Sequence, residues 1–268
     1  ACAVVVGWAF TASAAYVPVE WIKANGKQWI YTGYVPKCTD KVEIKIKTDT
    51  VGTTHGLWCS RGATTSTATF TGFLSSTKKF LFHRNANKNN NYSDDTVTAN
   101  TDYVVTADGN TLVCTVNGKD VSAKMESGTF TPSNAFSLFA TYAAASFNPA
   151  NPPAMDNFGT YTLYSFRVYD KDGNLVRQYI PARDDSVSSG TAQYGLYESV
   201  TKTFYPGLGS GSFTAGSDAG SYRWNADKQC VEYQVSARGT DGVTVSLNGE
   251  TYSESVATDW TELGTPVT

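Results

Sequence analysis

Two histidines, His55 and His83, and scattered carboxylates are what this chain offers for proton transfer or metal ligation. His55 and Cys59 are four residues apart, which on a helix would set them side by side. On the extended chain read for this segment they lie about 13 Å apart, too far to share a metal. His83 follows Phe82 at a strand end, where it packs or faces water. Retaining hydrolysis of a glycosidic bond needs two carboxylates about 5 Å apart, and no Glu-x-Asp-x-Glu pattern falls on a strand. Glu43 is flanked by Lys41 and Lys45 on its own face, Asp170 and Asp172 sit at a turn, and Asp94 and Asp95 sit in a loop. There is no Gly-x-Ser-x-Gly elbow and no Cys-x-x-Cys, and Gly207, Gly209 and Gly211 follow a proline rather than opening a helix. Neither a serine nucleophile nor a phosphate loop is written here. The inventory predicts a protein that is not an enzyme.

Binding needs fewer groups. Sugars are held by aromatic faces with amides and carboxylates for the hydroxyls, and Ca2+ by Asp and Asn oxygens. Residues 85–95, NANKNNNYSDD, offer those groups densely. The candidate ligand-binding residues are Asn91, Tyr92, Asp94 and Asp95 with Trp58 as a further aromatic face. No cofactor is expected other than Ca2+, for which Asp94 and Asp95 are the candidate ligands. The competing reading makes the loop a solvated connection and puts Trp58 and Tyr142 in the core.

The elements that must position these groups are strands. Residues 159–183 alternate without a break: Tyr161, Leu163, Ser165, Arg167 and Tyr169 on one face, Thr162, Tyr164, Phe166 and Val168 on the other. Asp172-Gly173 supplies a tight turn, Leu175 to Ile180 returns, and Pro181 stops the strand. Asn25-Gly26 reads as a hairpin between residues 17–22 and 28–31. Lys41-Val42-Glu43-Ile44-Lys45-Ile46-Lys47 alternates charged with branched apolar residues, one face wet and one core. Shorter strands follow at 54–60, 69–74 and 79–84, then a meander through Asp108-Gly109-Asn110 and Asn117-Gly118, and an apolar strand at 134–142. Residues 85–95 and 143–158 are surface loops.

Several of these segments carry a resemblance. Tyr164-Ser165-Phe166-Arg167-Val168-Tyr169-Asp170, the turn Asp172-Gly173, Leu175-Val176-Arg177-Gln178-Tyr179-Ile180-Pro181, Gly195-Leu196-Tyr197 and Thr203-Phe204-Tyr205-Pro206 resemble the closing strands of laminin-G-like, concanavalin-like jelly-roll domains of bacterial and phage surface proteins. Glu20-Trp21-Ile22, Gly26-Lys27-Gln28-Trp29-Ile30 and Thr32-Gly33-Tyr34 resemble their opening strand. Ala182 departs from the pattern, because relatives carry a cysteine after the proline, and no role of that cysteine carries over. Val243 to Gly249 with Trp260 and Gly264-Thr265-Pro266-Val267 resembles one unit of the short β-repeats of bacterial surface proteins. The resemblance implies an all-β, two-sheet antiparallel jelly-roll sandwich plus a small C-terminal β-unit. It also implies non-catalytic recognition or adhesion, with a glycan or a surface protein as partner. The alternatives are an architectural spacer without ligand and, third, a glycan-active enzyme of concanavalin-like fold.

Composition bounds the partners. With 24 acidic against 21 basic residues the chain has no basic field to hold a polyanion, so nucleic acid is excluded as a partner. The 16 Tyr and 13 Phe beside only 17% charged residues favour strands and an extracellular setting. Ala3 to Phe10 followed by Ala12-Ser13-Ala14 reads as the apolar region and cleavage site of a secretory signal peptide, or else as a buried strand; no other run is long enough for a membrane span. The protein is thus expected to be secreted or at a bacterial cell surface. Cys38, Cys59, Cys114 and Cys230 allow three pairings, but Cys114 alternates with Leu112 and Val116 like a buried thiol, which favours unpaired cysteines. The expected division is a signal remnant at 1–15, the jelly roll at 16–213, a Gly/Ser-rich linker at 214–227 and a partial β-repeat at 228–268.

Overall fold

The computed structural model describes residues 16–62, 68–85, 91–121, 125–184 and 192–216, and beyond them the backbone of a strand-forming C-terminal segment. The signal-like residues 1–15, half of the Asn-rich loop (86–90) and the Asn248-Gly249 turn lie outside the described residues. Among those described, every element is a strand, and no helix is long and apolar enough to cross a membrane. In chain order they are β1 (Tyr16–Pro18), β2 (Ile22–Lys23), β3 (Gln28–Tyr31), β4 (Lys41–Lys47), β5 (His55–Ser60), β6 (Phe70–Leu74), β7 (Phe80–Arg84), β8 (Asp102–Asp108), β9 (Cys114–Val116), β10 (Lys119–Asp120), β11 (Ser137–Leu138), β12 (Thr162–Tyr169), β13 (Leu175–Asp184), β14 (Gln193–Glu198), β15 (Thr203–Pro206), β16 (Leu208–Gly209) and β17 (Thr214–Ala215).

They form a two-sheet antiparallel sandwich of jelly-roll type. The larger sheet runs β10-β9-β8-β4-β12-β13-β14-β15, with β1 on β13, β2 on β12 and β17 on β2; the smaller runs β16-β3-β11-β5-β6-β7. The core between them takes Val42, Ile44 and Ile46 from β4, all with no exposed surface, while Lys41, Glu43 and Lys47 take the other face. That is the alternation the sequence predicts for a strand covered on one side by a second sheet.

The organising strand β12 departs from strict alternation. Tyr161 and Leu163 join Phe166 and Val168 in the core, although they have opposite parity. The reason is a β-bulge: against β4 the register shifts between Leu163 and Ser165, and the extra residue, Tyr164, turns the following side chains over. Tyr164 donates its hydroxyl to Asp102 at 3.1 Å instead of packing inward. On the smaller sheet, Trp58 pairs directly with Gly72, and a Cβ there would lie 2.5 Å from the indole ring. Gly72→Ala should therefore cost about 1–3 kcal/mol in denaturant unfolding, as overpacking does. An unchanged midpoint would mean that the indole has room to move.

Three local expectations about turns and strand ends need correction. Asn25-Gly26 makes no hairpin: β2 pairs with β12 while β3 pairs with β11 and β16, so this turn, with Gly26 at φ +88°, hands the chain from one sheet to the other. Pro181 does not stop β13, which runs on to Asp184. Proline's φ fits an extended strand, its carbonyl accepts from Val19 N–H at 3.0 Å, and it costs the ladder only one donor. The strand expected at 134–142 shrinks to β11, because Phe139 takes φ +66° and donates its N–H to the Tyr161 hydroxyl.

The Asn-rich loop is not wholly solvated either. Phe82 N–H donates to Asn91 O (3.1 Å), Ser93 N–H to Phe80 O (2.7 Å), and Tyr92 bridges to Leu81, so residues 91–93 close the edge of the smaller sheet at β7. Polar side chains do not prevent this, since the partners are main-chain groups.

In the segment expected as a linker, Thr214 and Ala215 form β17 on β2. The chain then forms β18 (Gly220–Asn225), β19 (Cys230–Val235), β20 (Val243–Leu247), β21 (Glu250–Glu254) and β22 (Ala257–Glu262), arranged as a β18-β19-β22 sheet and a β20-β21 hairpin. Cys38, Cys59 and Cys114 are free thiols; burial raises the pKa of Cys59 and Cys114 and keeps both protonated.

Candidate functional site

The sequence-predicted residues do not form one constellation. Trp58 has no exposed surface; its ring lies over Gly72 and 6.2 Å from Phe82 in the core, so it cannot serve as a ligand platform. Its placement follows from parity, since Trp58 alternates inward on β5 with Ser60 while Cys59 turns out. Asn91 is buried with Nδ2 unpartnered, and Tyr92 is half-buried at the sheet edge. Asp94 and Asp95 are exposed, and Asp95 sits 3.3 Å from the Lys119 ammonium, an open pair worth at most about 1 kcal/mol. No group of three or more His, Cys, Asp or Glu placed to hold a metal ion occurs among the described residues.

The outer face of the smaller sheet is chemically denser. The pairings Tyr31↔Ser137, Ser137↔Cys59, Cys59↔Thr71 and Thr71↔His83 set a lateral row across it. At one end Tyr31 and Phe147 stack at 4.2 Å between centroids and 7° between planes, with Trp29 (5.5 Å) and Tyr142 (4.6 Å) edge-on to Phe147. Tyr31 and Phe147 are half-buried, while Trp29 and Tyr142 are buried. Backbone at Ala135 fixes both phenols: its N–H donates to the Tyr31 hydroxyl at 3.3 Å and its carbonyl accepts from Tyr142 at 2.8 Å. The result is an aromatic surface beside residues 145–152, which are exposed apart from Phe147.

At the other end stand Arg61, Phe73 and His83. Asn134 donates its amide to Arg61 O at 2.7 Å and so anchors the backbone just past β5. The Arg61 guanidinium lies 5.1 Å from the Phe73 ring centroid, and His83 meets the same ring edge-on at 5.3 Å. Burial, and then the Arg61 charge, pull His83 down to about 4. Arg61 Nε and both His83 ring nitrogens have no hydrogen-bond partner.

Sequence reasoning missed both groups. Arg61 falls in the connection between the strands read at 54–60 and 69–74, and Phe147 in the loop read at 143–158. The available signal was that β5, β6 and β7 carry large apolar residues at both parities, so the face turned away from the core is not the polar one that simple alternation predicts.

No family model matches the chain, and no curated protein does. Among solved structures it is similar to a protein from Bacteroides ovatus described as a "putative carbohydrate binding protein", at 12% identity and a TM-score of 0.47 over 76% of this chain and 61% of that one. It is also similar to the native heptameric SAP-like pentraxin from Limulus polyphemus, at 13% identity and a TM-score of 0.40 over 59% of this chain and 76% of that one. The chain thus spans less than two thirds of the length of the first.

Proposed function

We propose that this chain is a non-catalytic recognition and adhesion module of an exported bacterial surface protein, and that its ligand is a glycan held on the aromatic surface of the smaller sheet. The observation that carries the reading is the half-buried Tyr31–Phe147 stack, locked in place by Trp29 and Tyr142 and bordered by exposed amides at Asn148 and Asn151. Rigid rings present C–H-stacking area at little entropic cost, and neighbouring amides hydrogen-bond hydroxyls. Several carboxylates have structural work, which supports a role without catalysis. Glu198 accepts from the backbone of Gln178, Val200 and Thr201, Asp40 from Tyr34, and Asp170 caps its own hairpin, while Glu43 pairs with Arg167.

A glycan array probed with the full chain should return ligands whose affinity falls at least about tenfold in Phe147→Ala, or roughly 1.4 kcal/mol. Binding unchanged by Phe147→Ala and Tyr31→Ala places the ligand elsewhere, and an empty array favours the spacer. Ca2+ at millimolar concentration raising the melting temperature, with the rise lost on replacing Asp94 and Asp95 by Ala, would add that edge to the binding surface.

A further inference from the structure

We propose that Arg61 and His83 form an anion subsite on the same sheet face, which takes a carboxylate or sulfate group of an acidic glycan. Arg61, just past β5, carries a buried guanidinium. Arg61 is 6% exposed, and its buried Nε has no hydrogen-bond partner. A guanidinium is always charged, and a buried charge is normally paired. The Phe73 ring lies against the cation, which offsets part of the desolvation but gives Nε no acceptor.

His83, 4% exposed, meets the same ring edge-on and adds two unpartnered ring nitrogens. A neutral imidazole carries one N–H donor, so the Phe73 ring contacts both a guanidinium with an unused Nε–H and an imidazole with a further unused donor. A planar carboxylate or a sulfate oxygen set matches the guanidinium fork.

The site is also held in place. Asn134 clamps the Arg61 backbone, Thr69 and Thr71 hydroxyls bond to each other at 3.0 Å, and the β6–β7 pairing fixes Phe73 and His83 on neighbouring strands. Four strand steps separate His83 from Tyr31 in the lateral row, about 19 Å at the usual interstrand spacing. The anion subsite and the aromatic surface are therefore two separate stations on one face.

The inference rests on the glycan reading only for the source of the anion, and the test separates the two. The full chain has two histidines, so the imidazole resonances of His83 can be followed against those of His55. Sodium sulfate and sodium glucuronate are titrated separately at pH 7 and constant ionic strength. At least one should shift His83 saturably while leaving His55 in place, and Arg61→Gln should abolish the shift. Sulfate alone would point to sulfated sugars, and glucuronate alone to uronates. If Arg61→Gln fails to fold, Arg61→Lys, which keeps the charge but loses the fork, should weaken binding at least threefold. No saturable shift with either anion, or a shift that survives the Arg61 substitution, overturns the proposal. Anion binding at His83 with an empty glycan array would overturn the aromatic-surface reading and leave this one standing.

Discussion

Phe166→Ala should lower the unfolding free energy by about 3–5 kcal/mol, the range for truncating a fully buried aromatic. Phe166 has no exposed surface and stands where the two sheets meet. It pairs with Ile44 on β4 and Tyr179 on β13, and its ring meets Phe136 edge-on at 5.6 Å, from which the contact continues to Phe70 on the smaller sheet. Neighbours held this way in two sheets cannot collapse into the space left by the ring, so the cavity cost adds to the lost transfer energy. Denaturant unfolding of the variant and parent measures it. A loss below about 1 kcal/mol would mean that the β12 bulge is misplaced and Phe166 faces outward.

Acid should weaken the fold through His83. Its folded-state value, about 4, lies below the ordinary value of 6.5 for an unfolded chain, so between those limits the unfolded state binds the extra proton. The stabilisation is complete above about pH 6.5, is lost as pH falls, and flattens below about pH 4, amounting to about 3 kcal/mol in all. The measurement is the difference in unfolding free energy between the parent and His83→Gln across pH 4–7, in buffer free of sulfate and carboxylate. Taking the difference removes Asp40, whose burial raises its carboxyl and gives a trend of opposite sign. Parallel pH profiles for the two proteins would show that His83 titrates normally and is not buried.

Much of the fold was legible in the sequence, because period-two patterning reports directly on a sheet with one buried face. Val42, Ile44 and Ile46 show this, as does the Asp172-Gly173 turn between β12 and β13. Other features were not legible because they are decided by partners far along the chain. The bulge at Tyr164 inverts parity midway through a strand that reads as regular, and only the register against β4 reveals it. Asn25-Gly26 has the residues of a hairpin turn, but hydrophobic demand on both sheets sends its flanks apart.

The candidate site was less legible still. Chemistry-bearing residues drew attention to Asp94, Asp95 and Trp58, yet a Trp in a sandwich strand is most simply accommodated inside, as Trp58 is. Tyr31 and Phe147 are 116 positions apart, and Arg61 and His83 are 22 apart. Nothing local marks either pair, and each exists only because β3, β5, β6 and β7 share one outer face.

The central claim, that this face is the binding face, is tested most directly by mapping backbone and side-chain NMR shifts of the full chain as the best array glycan is added. Shifts should concentrate at Trp29, Tyr31, Phe147 and Asn148, with Asp94 and Asp95 unmoved. Shifts confined to Asp94 and Asp95, or to the outer face of the larger sheet at Glu43 and Arg167, would contradict it.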